Sequence, residues 1–62
     1  SFIKYVCIRF NKLNEKQKQQ VLLSMNQTVG KNAVERKNLF RKAVIKNKMT
    51  MKQILEVIDG SQ

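Results

Sequence analysis

The stretch 5-YVCIRFN-11 decides the fold that the sequence predicts for the amino-terminal end of this chain. Val6, Ile8 and Phe10 occupy alternate positions in it, with other side chains between them. A period of two is typical of a β-strand that has one buried face and one exposed face. The sequence therefore predicts a strand over residues 3–10, with this apolar set turned toward a core.

The rest of the chain reads as helix. Asn14 is a candidate N-cap with a glutamine three residues later, as in a capping box, and Thr50 is the candidate N-cap of the last helix. Apolar side chains recur at helical spacing after both positions. We expect helices over residues 14–26, 33–47 and 51–59, which gives a mostly α fold with one amino-terminal β-strand.

A single strand has no ladder partner within this chain, and the chain is short. With 62 residues it forms one domain, spanning 1–62, and such a domain buries only about 60% of the surface exposed when unfolded. The one cysteine excludes an internal disulfide, and with no histidine the sequence offers no zinc site. Oligomerisation is the remaining way to complete the strand and the core.

The charge balance predicts a polyanionic partner. Thirteen Lys and Arg face four Asp and Glu, for a formal charge of +9, which attracts nucleic acid or an anionic membrane surface. A lysine-rich protein whose charge only confers solubility is the alternative. No apolar run approaches the roughly 20 residues needed to cross a bilayer, and the start lacks a signal-peptide pattern. We therefore expect a cytoplasmic protein that does not span a membrane; association with DNA is an expectation of the family resemblance described below.

Catalysis is not expected. There is no histidine to exchange protons near neutral pH, and the four carboxylates are dispersed along the chain. Cys7 has no evident activating base, and Gly30 stands alone rather than in a phosphate-binding loop. No cofactor, metal or small-molecule ligand is suggested, so the sequence predicts a binding protein rather than an enzyme.

The order of strand, short helix, loop and second helix resembles the ribbon-helix-helix family of bacterial, plasmid and phage DNA-binding proteins. The resemblance covers about residues 5–45: YVCIRFN looks like the family's ribbon, and NLFRKAVI (38–45) looks like its second helix. It implies a homodimer in which two strands pair into an antiparallel ribbon that enters the major groove. The helix at 51–59 would be an addition to the minimal fold.

Residue roles follow from this resemblance in three sets. The ribbon's exposed face implies base-reading by Tyr5, Cys7 and Arg9. The start of the second helix, together with Lys4 near the amino terminus, implies phosphate contacts by Lys4, Lys31, Asn32, Ala33, Arg36 and Lys37. The shared core of the dimer would hold Val6, Ile8, Phe10, Leu39, Phe40 and Val44. The function so implied is sequence-specific binding of double-stranded DNA, by a transcriptional repressor or an accessory factor of a plasmid or mobile element.

Three alternatives stay open on the sequence. One is a three-helix unit of helix-turn-helix type, whose recognition helix at 33–47 carries Arg36, Lys37, Arg41 and Lys42. A second is a basic RNA- or ribosome-associated protein, although exposed aromatic residues for base stacking are few. The third is a protein-interaction adaptor that docks its apolar last helix in a partner's groove.

Overall fold

The chain forms four α-helices in a computed structural model that describes residues 2–62. The helices are α1 (Phe2–Asn11), α2 (Glu15–Ser24), α3 (Ala33–Lys46) and α4 (Met51–Gly60). Helices α1 and α2 each pack against both α3 and α4. The apolar side chains between them form a single core cluster, and no strand occurs in the described part of the chain.

The predicted strand at 3–10 is wrong, because this segment is helix α1. Val6 and Phe10 are both fully buried, and their separation of four residues suits a helix as well as a strand. The neighbouring positions decide between the two. Ile3 and Cys7 pack against the core, whereas Ile8 is 46% exposed, so the buried face repeats at helical spacing.

The helical state of α1 also overturns the ribbon-helix-helix fold. A helix bonds its backbone N–H and C=O groups internally, so this segment needs no strand from a second chain. Four of the six residues predicted for a dimer core lie instead in the core of one chain: Val6, Phe10, Phe40 and Val44. Leu39 is partly buried against them, and Ile8 faces outward. The rings of Phe10 and Phe40 stack with centroids 4.3 Å apart and planes 13° apart.

The other three helices lie where the sequence predicts helices at 14–26, 33–47 and 51–59. Asn14 and Thr50 each form a complete capping box, with Gln17 and Gln53 as the respective partners. Asn32 caps α3, since its side-chain oxygen accepts a hydrogen bond from the N–H of Glu35 at 2.9 Å. Local capping chemistry therefore sets the starts of all three helices.

Arg36 anchors the connection between α2 and α3 through two hydrogen bonds. The Nε of Arg36 donates to the carbonyl oxygen of Val29 at 3.0 Å, and its Nη1 lies 2.7 Å from Oε1 of Glu15. Gly30 occupies the left-handed region with φ +72°. A Cβ atom added there would lie 3.0 Å from the Cγ of Arg36, so a side chain at this position would be strained by the backbone conformation and crowded against Arg36.

Gly30→Ala is expected to lower the free energy of unfolding by about 1–2 kcal/mol, the usual cost of forcing an L-residue into this conformation. Gly60→Ala is the matched control, since Gly60 is helical and a Cβ there meets nothing within 4 Å. That control is expected to be neutral or to stabilise by about 0.5–1 kcal/mol. Urea denaturation followed by circular dichroism measures both variants; equal effects would contradict the strained geometry at Gly30.

Candidate nucleic-acid interface

The outward side of helix α3 carries a stripe of polar and apolar side chains. The buried side of this helix is formed by Phe40, Ala43 and Val44. Four residues on the opposite side follow one another at intervals of four, three and four positions, and this spacing places them in one row along the helix. This central stripe consists of Val34, Asn38, Arg41 and Ile45. Val34 and Ile45 are 68% and 54% exposed, so large apolar groups lie in solvent beside an amide and a guanidinium.

Lysines border this stripe on both sides. At 100° per residue, Lys37 falls on the edge toward α1, while Lys42 and Lys46 fall on the other edge. All three are exposed. Neither these lysines nor Arg41 forms an ion pair with another described residue. We call this surface the α3 face: Val34, Lys37, Asn38, Arg41, Lys42, Ile45 and Lys46.

Two of the four acidic residues neutralise cations outside the α3 face. Glu15 pairs with Arg36 at 2.7 Å and with the buried Lys18 at 3.2 Å. Asp59 pairs with Arg9 at 3.2 Å. The cations in these pairs, Arg9, Lys18 and Arg36, do not belong to the α3 face. All four cations of the α3 face therefore remain without an ion-pair partner among the described residues.

The residues predicted to read bases do not share one exposed face. Arg9 donates from Nη1 to the Tyr5 hydroxyl at 3.3 Å and from Nη2 to Asp59 at 3.2 Å, so it links α1 to α4. Cys7 lies on another side of α1, half-buried against the core. Their common role rested on a ribbon surface, which the helical state of α1 removes.

Several of the residues predicted to contact phosphate at the start of α3 are already engaged in hydrogen bonds within the protein. The Asn32 side chain is used in capping, and the backbone N–H of Lys31 donates to Oε1 of Glu35 at 3.1 Å. Ala33 is exposed in the first turn. The Arg36 side chain is only 12% exposed because it binds Glu15 and Val29. A carboxylate therefore already sits at this helix end.

The two remaining predicted phosphate contacts, Lys4 and Lys37, come together across a groove between α1 and α3. The groove has a volume of about 410 Å³. Its lining combines three cations with an apolar wall and contains no carboxylate: Ile3, Lys4, Cys7, Ile8, Asn11, Lys37 and Arg41. Burial raises the pKa of the Cys7 thiol, against the opposing influence of Arg41 and Lys37, so the thiol stays protonated and weakly nucleophilic at neutral pH.

Sequence reasoning missed the central stripe, although it included Arg41 and Lys42 in an alternative recognition helix. The sequence does place Val34 and Ile45 away from the buried face, where they would contact a further neighbour, whereas both are exposed; it assigns no function to them, to Asn38 or to Lys46. The available signal was the buried face of α3: once Phe40, Ala43 and Val44 are assigned to the core, the helical period identifies what points away. The groove had no such signal, since it exists only when α1 is a helix.

Within residues 2–62, no three His, Cys, Asp or Glu side chains come close enough to hold a metal ion. In the same range, none of the helices combines the length and apolar content needed to cross a membrane. No protein-family model, curated protein or solved structure matches this chain.

Proposed function

We propose that this protein binds double-stranded DNA by laying the α3 face in the major groove. The observation that carries the proposal is the row of an amide, a guanidinium and two exposed apolar side chains, bordered on both edges by cations without carboxylate partners. Val34 and Ile45, which are 68% and 54% exposed, add apolar contact area to this row. The formal charge of +9 supplies a long-range attraction to the same partner.

The chemistry of the central stripe matches base edges. The major groove is about 12 Å wide and admits an α-helix, and each base pair presents a distinct pattern there. Arg41 has the fork geometry for O6 and N7 of guanine, and Asn38 has the paired donor and acceptor that adenine requires. Val34 and Ile45 offer apolar contact to thymine methyl groups.

The edges of the α3 face match the two phosphate backbones that border the groove. Lys37 lies on one edge, and Lys4 lies on the opposite wall of the α1–α3 groove. Lys42 and Lys46 lie on the other edge. Such contacts position the helix without reading sequence. Helix α3 has 14 residues, so it is about 21 Å long and extends past several base pairs.

This function does not require a second copy of the chain, because the core is completed within one. Selective recognition of a short duplex site is what a transcriptional repressor or an accessory factor of a mobile element requires. We infer such a role here, with α3 as the recognition helix in place of the ribbon.

Arg41→Ala is the test of this proposal. A duplex is first enriched from a random library on the purified protein, and affinity is then measured by fluorescence anisotropy. We expect the variant to bind the enriched duplex about 1–3 kcal/mol more weakly, roughly 5- to 150-fold, and to lose preference at one base pair.

Arg9→Ala is the matched control, since Arg9 is also an arginine but is paired with Asp59. It is expected to leave base preference unchanged. Two outcomes would overturn the proposal: unchanged selectivity in Arg41→Ala, or displacement of the duplex by an equal concentration of a structured RNA hairpin.

A further inference from the structure

We propose that the α1–α3 groove is a binding site for a small organic anion, a carboxylate or phosphate monoester attached to an apolar body. The groove is a different feature from the α3 face, although Lys37 and Arg41 belong to both surfaces. It joins residues of two helices that are far apart in sequence, and its volume of about 410 Å³ lies in the range of small-molecule sites.

The anionic part of the ligand is inferred from the charges. Lys37 and Arg41 are one helical turn apart on α3, and Lys4 approaches from α1. The lining contains no carboxylate, and none of these three cations forms an ion pair within residues 2–62. Three like charges that converge on one groove repel one another, and an anion between them removes that repulsion.

The apolar part is inferred from the wall of the groove. Ile3, Cys7 and Ile8 lie beside the cations, and Ile8 is 46% exposed. A bare inorganic anion would leave this surface in water. A ligand with an aromatic or alkyl body covers it and gains the free energy of apolar burial. Asn11 adds one amide at the end of the groove, able to donate or accept a hydrogen bond.

The thiol of Cys7 serves as a noncovalent part of this wall and as a reporter. Because burial keeps it protonated, it contacts a ligand as a small apolar group and forms no adduct with it. A ligand seated in the groove covers the sulfur atom. Slow alkylation by iodoacetamide therefore measures occupancy directly.

Sharing of Lys37 and Arg41 makes the ligand and DNA compete, a consequence that rests on the proposed function. An anion held by these two side chains occupies one phosphate-contacting lysine and the guanidinium assigned to a base. The ligand would then release DNA by simple exclusion, without a change of fold.

The test uses 1-naphthyl phosphate on the full chain, in the absence of DNA. Amide chemical shifts and the alkylation rate of Cys7 are followed during titration. We expect saturable shifts around the groove and a several-fold slower alkylation. Inorganic phosphate, which lacks the apolar body, and 1-naphthol, which lacks the charge, are each expected to bind about tenfold more weakly. 1-Naphthoate, compared with the phosphate, distinguishes the two head groups.

The double variant Lys37→Gln/Arg41→Gln is expected to weaken binding of 1-naphthyl phosphate about tenfold or more. Lys42→Gln/Lys46→Gln is the matched control, since it removes two lysine charges from the other edge of the same helix, outside the groove; it should bind as the parent does. The proposal is overturned by equal losses in both variants, or by shifts that do not saturate.

The same titrations separate the two proposals. Binding of 1-naphthyl phosphate by a chain that does not bind DNA supports the groove site and removes the proposed function. DNA binding without any protection of Cys7 by 1-naphthyl phosphate removes the groove site and leaves the proposed function.

Discussion

Replacing Phe10 with alanine is expected to lower the free energy of unfolding by about 3–5 kcal/mol. The Phe10 side chain is fully buried and stacks on Phe40 with ring centroids 4.3 Å apart. Truncation removes the burial of one ring, the stacking with the other, and the packing of the surrounding helices. Since small domains are only marginally stable, this variant should be largely unfolded at moderate urea concentrations.

Ile8→Ala is the control that makes this result decisive. Both residues lie on one side of a strand, whereas in helix α1 Ile8 points to solvent and lines the groove wall. We expect Ile8→Ala to change stability by no more than about 0.5 kcal/mol. Chemical denaturation monitored by far-ultraviolet circular dichroism gives both values. Comparable losses in the two variants would mean that the period-two pattern governs this segment after all.

DNA affinity is expected to fall about 150-fold when the salt concentration is raised from about 50 to about 200 mM. The estimate takes four phosphate contacts, by Lys4, Lys37, Lys42 and Lys46. Each neutralised phosphate releases counterions, so the slope of log affinity against log salt should be about −3.6. Anisotropy titrations over a salt series on the enriched duplex measure this slope.

Removal of charge from the α3 face should flatten that dependence. Lys42→Gln/Lys46→Gln removes two of the four expected phosphate contacts, so the slope is expected to fall in magnitude from about 3.6 to about 1.8. Lys12→Gln/Lys16→Gln removes two exposed lysines away from this face and should leave the slope near its parental value. An equal reduction in both double variants would show that the whole surface attracts DNA diffusely, with no preferred face.

The amino-terminal segment shows why one part of the fold was mispredicted from sequence. A separation of four residues, as between Val6 and Phe10, is a multiple of the strand period and close to one helical turn. The distinction depended on whether Ile8 or the pair Ile3 and Cys7 joined the buried set. All three have apolar or small side chains, so local composition did not decide, and packing against α3 and α4 did.

The site shows a similar division. The exposed row of α3 could be derived from the buried row, because one helix determines both. The distinction between free and paired cations could not be derived in this way. Arg9 pairs with a residue 50 positions later, and Arg36 with one 21 positions earlier, and no periodicity relates such distant partners.

By itself, the sequence determined the strongly basic charge, the starts of α2, α3 and α4, and the buried face of α3. Each of these depends on composition or on residues within a few positions of one another. Only the tertiary structure decided that residues 2–11 are helical, that Arg9 and Arg36 are engaged internally, and that Lys4 meets Lys37 and Arg41 across a groove. These depend on contacts between segments that are remote in sequence, where burial outweighs local preference.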